Sequence, residues 1–235
     1  MKVAVIQFPG SNCDRDTVYV LNNVIQDVEA SLIWHAEFEE SEFDAVVMPG
    51  GFSFGDYLRS GIIAAHSPAM DEARIMLKDG RPIIGICNGF QILTEAQFLP
   101  GALLQNDSLR FICKWLNIKV KNNKTAFTNK MDLNDVIDIP IAHGEGRYYT
   151  DKLKELEENN QIVFQYSDST GETGEKSNPN GSLNNIAGVC NLEGNCLGLM
   201  PHPERASESI LSPKGTTHGK LFFESMINFI KQGGV

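Results

Sequence analysis

Pro82-Ile-Ile-Gly-Ile86 runs directly into Cys87-Asn-Gly89, and Gly89 to Ala96 follows. The first stretch is a short apolar run of the kind that forms a strand buried on both faces. The last reads as a helix. Between them lies a G-x-C-x-G turn with a cysteine at its tip. Strand, sharp turn and helix in this order describe one unit of an α/β sheet, and the neighbouring sequence repeats the unit. Lys2 to Phe8 is another near-continuous apolar run, stopped by Pro9-Gly10. Asp14 then stands where it can cap a helix whose apolar positions are Val18, Leu21, Ile25 and Val28. Ser31 to His35 and Asp44 to Met48 read as further strands, the latter ended by Pro49-Gly50-Gly51, and Pro68 to Leu77 reads as a helix. Strands alternating with helices predict an α/β fold: a doubly wound, mostly parallel sheet flanked by helices.

Beyond residue 100 strands dominate. Leu116, Ile118 and Val120 alternate with Asn117, Lys119 and Lys121, as a half-buried strand does. Gln161 to Ser167, Asn185 to Asn191 and Cys196 to Met200 are further strands, so a small antiparallel region is expected beside the parallel sheet. A closing helix carries Phe222, Met226, Phe229 and Ile230. The segment from Asp168 to Asn185 is polar apart from Leu183 and reads as a functional or mobile loop. No linker or internal repeat divides the chain, which is expected to be one domain, 1–235.

Composition narrows the function. The 235 residues are 42% hydrophobic and 21% charged, a globular mixture, with a net charge of −10. Such an acidic surface repels phosphate backbones and anionic headgroups, so neither a nucleic acid nor a membrane is the expected partner. No apolar run approaches the ~18 residues of a membrane span, and no signal-peptide pattern opens the chain; a cytoplasmic protein is expected. The five cysteines (Cys13, Cys87, Cys113, Cys190, Cys196) form no C-x-x-C pair. No metal site is therefore read, and free thiols are expected.

One of those thiols stands out. Gly85-Ile-Cys87-Asn-Gly89 has the layout of a nucleophile elbow with cysteine in place of serine. The flanking glycines relieve crowding at the bend. The thiol then stands at the carboxyl edge of the sheet, where a helix N-terminus favours the thiolate. A thiolate needs a base, and the base an orienting partner. Pro201-His202-Pro203-Glu204 offers both: the prolines favour extended geometry, and positions two apart in an extended chain point the same way. Pro49-Gly50-Gly51 ends another strand, where the Gly51 amide, with that of Asn88, could hold an oxyanion.

Other features compete. Cys13 also sits at a strand-to-helix junction but lacks flanking glycines. Gly215-Thr-Thr-His-Gly219-Lys220 falls one residue short of a phosphate loop and lacks its Ser/Thr. Arg110, Lys114, Lys119, Lys121, Lys124 and Lys130 make an acid-free basic stretch, which reads foremost as a solvated face. His143-Gly-Glu145-Gly-Arg147 could be a second polar site or a docking loop. His35, His66 and His218 have no constellation around them.

Six stretches together resemble the class I (triad-type) glutamine amidotransferases, which have a flavodoxin-like fold. More narrowly, they resemble the glutaminase subunits of phosphoribosylformylglycinamidine synthase in purine biosynthesis. These are VIQFPGSNCDRD at Val5–Asp16, MPGGFSFGDYLRSG at Met48–Gly61, GICNGFQIL at Gly85–Leu93, IAHGEGRYY at Ile141–Tyr149, NPNGSLNNIAGVCN at Asn178–Asn191 and GLMPHPERA at Gly198–Ala206. The resemblance implies that Cys87 attacks the glutamine side-chain amide, that His202 oriented by Glu204 moves protons, and that the Gly51 and Asn88 amides hold the oxyanion. It also implies that residues of the Gly50–Gly61 stretch, Gly50, Phe52 and Arg59 foremost, line the glutamine pocket with Gln91. A separate synthetase subunit, carrying ATP and Mg²⁺, would use the ammonia to convert formylglycinamide ribonucleotide to the amidine, with a small bridging subunit and no cofactor in this chain. His143, Glu145 and Arg147 would face that partner. Two alternatives stay open: a stand-alone Cys-His hydrolase of the same fold, and a catalytically silent docking subunit.

Overall fold

The computed structural model describes residues 1–234. The first half builds β1 (Lys2–Gln7), α1 (Asp14–Asn23), β2 (Glu29–Trp34), β3 (Ala45–Met48), α2 (Pro68–Lys78), β4 (Ile83–Ile86) and α3 (Asn88–Glu95). Every residue of β3 and β4 is buried, as is Val3 to Ile6 of β1. Helices cover both faces of a doubly wound sheet, so its strands need no polar alternation. The second half adds β5 (Ala102–Leu104), β6 (Ile112–Val120), β7 (Val136–His143), β8 (Arg147–Tyr149), α4 (Leu153–Glu158), β9 (Ile162–Ser167), β10 (Ile186–Cys190), β11 (Cys196–Leu199) and α5 (Lys220–Lys231).

Nine strands join one sheet in the order β2-β1-β3-β4-β11-β10-β9-β6-β7. The five from β2 to β11 are parallel, and renumbered along the chain their order is 2-1-3-4-5, that of a flavodoxin-like sheet. β10, β9, β6 and β7 continue it with antiparallel pairings. The antiparallel strands thus extend the parallel sheet, while β5 and β8 form a separate two-stranded ribbon. The segment 168–185 contains only two short 3₁₀ turns.

Two local readings shift. In α1 the buried apolar positions are Val20 and Leu21, while Val18 is only half-buried. The strand β7 has no counterpart among the sequence readings because Pro140 interrupts it. The structure explains why it forms: β7 lies at the sheet edge and pairs only with β6. A missing N–H is tolerated on an edge, and the Pro140 carbonyl accepts a hydrogen bond from the His202 amide at 2.9 Å. No described helix is long and apolar enough to cross a membrane.

Candidate active site

β4 and β11 are neighbours in register, with Ile86 opposite Leu199. Each is followed within three residues by one of the groups singled out in the sequence: Cys87 after β4, His202 after β11. Parallel pairing of these two strands is what carries both side chains to the same carboxyl edge of the sheet.

Cys87 caps α3 with φ 51° and ψ −103°. A non-glycine residue with positive φ is strained, a cost on the order of 1–3 kcal/mol that such bends carry at functional sites. Gly89 shows why the elbow needs glycine: a Cβ there would lie 2.0 Å from the Met48 carbonyl oxygen. The bend therefore lets α3 seat directly on the end of β3. The Cys87 thiol is buried and donates a long contact of 3.7 Å to the Ala142 carbonyl. The Asn88 amide lies in the first turn of α3, where no helical acceptor exists. Gly51 makes an isolated bridge to Ser11, with the flanking Gly50 and Phe52 carrying its hydrogen bonds. Both amides are thus left as free donors among the described residues. The Asn88 side chain ties the two segments together, accepting from the Ser53 amide at 3.0 Å and donating to Gln91 Oε1 at 2.9 Å.

His202 and Glu204 are both almost wholly buried, and Nδ1 of His202 lies 2.6 Å from Glu204 Oε1. Burial opposes charge on this imidazole, but the Glu204 carboxylate, aided by the Cys87 and Cys13 thiols, holds it well above the usual histidine range. Its other nitrogen, Nε2, has no partner among the described residues. Gly50 cradles this ring rather than lining the pocket: a Cβ there would sit 2.8 Å from His202 Cε1 and 3.0 Å from Cys13 Sγ.

Cys13 is buried behind the histidine and accepts a hydrogen bond from Arg205 Nη2 at 3.1 Å. Burial pushes its thiol up, although His202 beside it pulls the other way. Ligand atoms of Cys13, His202 and Glu204 lie within 4.8 Å of one another. The Arg205 guanidinium on Cys13 already places a fixed cation there, and a metal ion would have to displace it.

Cys87 opens into a cavity of about 150 Å³ whose walls include Gly51, Phe52, Asp56, Gln91, His143 and Glu145. Gln91 is fixed by donating to the Glu145 carbonyl at 2.7 Å. Two expectations change here. Arg59 does not line the cavity; it pairs with Glu95 at 2.7 Å, because the intervening left-handed turns swing it outward. The second concerns His143 and Glu145, expected toward a partner: the chain bends after β7 and brings the buried His143 and the half-buried Glu145 onto the cavity wall. Arg147 opens β8 and is half-buried, away from that wall.

The His143 tautomer follows from its neighbour. Asn106 Nδ2 donates to the Arg110 and His143 carbonyls at 2.8 and 2.9 Å, so Oδ1 is its acceptor. His143 Nδ1, 3.1 Å from that oxygen, carries the hydrogen. Burial first, and the charge on His202 second, push His143 down to about 4, so the ring is neutral at physiological pH. Asp56 and Ser60 of the Gly50–Gly61 stretch also line the cavity, as does Phe111, which no sequence signal marks. Asp56 lay inside a quoted motif, but nothing in its spacing shows which of those side chains turns inward.

Comparison with known proteins bears on the same residues. Residues 1–230 match the CobB/CobQ-like glutamine amidotransferase domain. The chain is 52% identical over 234 residues to the phosphoribosylformylglycinamidine synthase subunit PurQ of Methanosarcina mazei, covering 99% of each. It is 53% identical to that of Aquifex aeolicus, covering 97% of this chain and 100% of the other. The chain belongs to the PurQ family of glutamine amidotransferases. Its fold matches a chain of the PurLQS structure from Thermotoga maritima with a TM-score of 0.84 and 41% identity, over 97% of this chain and 98% of that one. A glutamine amidotransferase from the same organism matches at TM-score 0.54 and 17% identity, over 99% and 85% of the two chains, and shows the shared fold alone.

Proposed function

We propose that this amidotransferase hydrolyses glutamine to glutamate and ammonia through a Cys87 thioester. The ammonia passes to a synthetase subunit that converts formylglycinamide ribonucleotide to formylglycinamidine ribonucleotide with ATP, in de novo purine biosynthesis. The observation that carries the chemistry is that paired β4 and β11 bring the Cys87 elbow and the buried His202–Glu204 pair to one carboxyl edge, near enough for the thiol to act on the imidazole's charge.

In this reading the Cys87 thiolate attacks the carboxamide carbon, and the charge developing on oxygen falls to the Gly51 and Asn88 amides. His202, charged and held by Glu204, gives its Nε2 proton to the leaving nitrogen, which departs as ammonia. The neutral ring then takes a proton from water, the hydroxide attacks the thioester, and glutamate leaves as the thiolate returns. Phe52 and Gln91 bound the substrate pocket.

The relatives' shared name and the PurLQS neighbour support a synthetase partner and a small bridging subunit. The chain works as a single amidotransferase domain in the cytoplasm, without a cofactor of its own, and ATP and Mg²⁺ belong to the synthetase. Cys87→Ala is expected to cut glutamine hydrolysis by the assembled synthase at least ~10³-fold while leaving ammonia-dependent amidine synthesis intact. Hydrolysis at the unaltered rate in that variant would overturn the mechanism.

A further inference from the structure

Cys13 is a second buried thiol at the carboxyl edge of the sheet, and the hydrolysis mechanism gives it no step. Its backbone is held from both sides. The Asn12 and Cys13 amides donate to the Gly50 carbonyl at 3.3 and 3.0 Å, and the Thr17 amide and hydroxyl donate to the Cys13 carbonyl at 3.1 and 2.8 Å. The sulfur has two polar partners: its S–H donates to Asn12 Oδ1 at 3.2 Å, and it accepts from Arg205 Nη2 at 3.1 Å. Burial pushes this thiol up and so keeps the proton on it. Arg205 is itself placed by Asp16 and Glu204, whose carboxylate oxygens lie 3.7 and 3.9 Å from its Nε.

This clamped thiol stands beside the imidazole. A ring nitrogen of His202 lies within 4.8 Å of Cys13 Sγ. Gly50 lies against both groups, since a Cβ there would sit 2.8 Å from His202 Cε1 and 3.0 Å from Cys13 Sγ. Thiol and ring edge thus converge on space that only a glycine leaves open. Glu204 holds the ring at Nδ1, a single point that fixes neither the tilt of the ring nor the aim of Nε2. A second contact near Cε1, the carbon between the two nitrogens, removes that freedom.

We propose that Cys13 is a positioning residue for glutamine hydrolysis: clamped by Asn12 and Arg205, it backs the Cε1 side of His202 and keeps Nε2 aimed at the Cys87 thiol. The inference rests on the glutaminase reading and deepens it. A misaimed base costs more than the lost contact alone, because proton transfer needs the heavy atoms within ~3 Å of each other. Cys13 also supports the charge on the ring, beside Glu204 and Cys87. The other titratable and charged groups around the ring are Arg205 and Asp16 beyond the thiol and His143 at the end of β7. Tyr19, Cys113, Lys114 and Glu208 share a groove with His202. All of these stay in place when Cys13 is changed, so a shift in the ring's titration reports Cys13.

The test uses the assembled synthase and reads glutamine-dependent ammonia release against pH. Cys13→Ala is expected to lower kcat about 30-fold with KM within about threefold, as loss of aim does. The alkaline limb of kcat, set by loss of the His202 proton, should fall by about one pH unit. Cys13→Ser, which keeps a donor for Asn12 and an acceptor for Arg205, should return kcat to within about fivefold and restore the limb. Co-elution with the synthetase confirms that each variant folds and assembles. Should the alanine variant fail that check, Cys13→Val, which fills the space without either hydrogen bond, carries the same expectation. An unchanged kcat and limb, a loss chiefly in KM, or a serine variant no better than the alanine one would overturn the proposal. An unaltered synthase inert toward glutamine would instead defeat the glutaminase reading, and this inference with it.

Discussion

Glu204, itself almost wholly buried, holds the proton-bearing edge of His202 at 2.6 Å. The carboxylate fixes both the ring's orientation and its charge, so its charge matters beyond its shape. Glu204→Gln is expected to lower kcat for glutamine at least ~100-fold with little change in KM, read in steady-state ammonia release. A near-normal kcat would show that the ring is oriented by other means. Asp56 makes a prediction about stability. Its folded pKa, about 6, lies above the ordinary 3.8. The folded chain therefore holds this proton more tightly than the unfolded chain, a contribution complete below about pH 4 and lost as pH rises through about 6. Removing the charge should stabilise the protein at pH 7 by about 1 kcal/mol after allowance for solvent screening, and hardly at all at pH 4. Thermal unfolding of Asp56→Asn at both pH values checks this, and an equal or reduced midpoint at pH 7 contradicts it.

The strand–elbow–helix element concentrates the strain and the tightest approach at one point. Gly89→Ala would place a methyl group 2.0 Å from the Met48 carbonyl, and relief means lifting α3 off the sheet. A loss of about 3 kcal/mol or more in denaturant unfolding is expected; a loss under about 1 kcal/mol would mean the elbow yields easily. This element was fully legible in the sequence, since the apolar run, the glycines and the helix all point one way. β7 was not, because Pro140 breaks the strand signal and only its edge position, a property of the assembled sheet, makes proline harmless. The 52–58 turn was legible as part of a motif but not in its geometry. Its left-handed conformation falls on Phe54, Asp56 and Leu58, residue types that do not announce it. The motif marks the stretch as pocket-lining, but only the turn's geometry decides that Asp56 reaches the cavity wall while Arg59 turns to Glu95.

At the scale of the whole molecule, the order of strands does what no local pattern can. Cys87 and His202 were each recognisable, but their meeting depends on β11 being inserted beside β4 after four antiparallel strands have been laid down on its other side. The strained loop at the cavity mouth exposes Phe52, Tyr57 and Leu58, a surface that a partner subunit can order. Glutamine turnover by the chain alone is therefore expected to be slow and to rise at least ~10-fold with the synthetase and its ligands bound; equal rates would uncouple the site from assembly. The dependence of all this on one thiolate can be read by treating the protein with a diazoketone analogue of glutamine and mapping the modified peptide. Modification of Cys87 alone, lost in His202→Ala and blocked by excess glutamine, is the result expected. Modification at Cys13, or none that glutamine prevents, would contradict the assignment of Cys87 as the nucleophile.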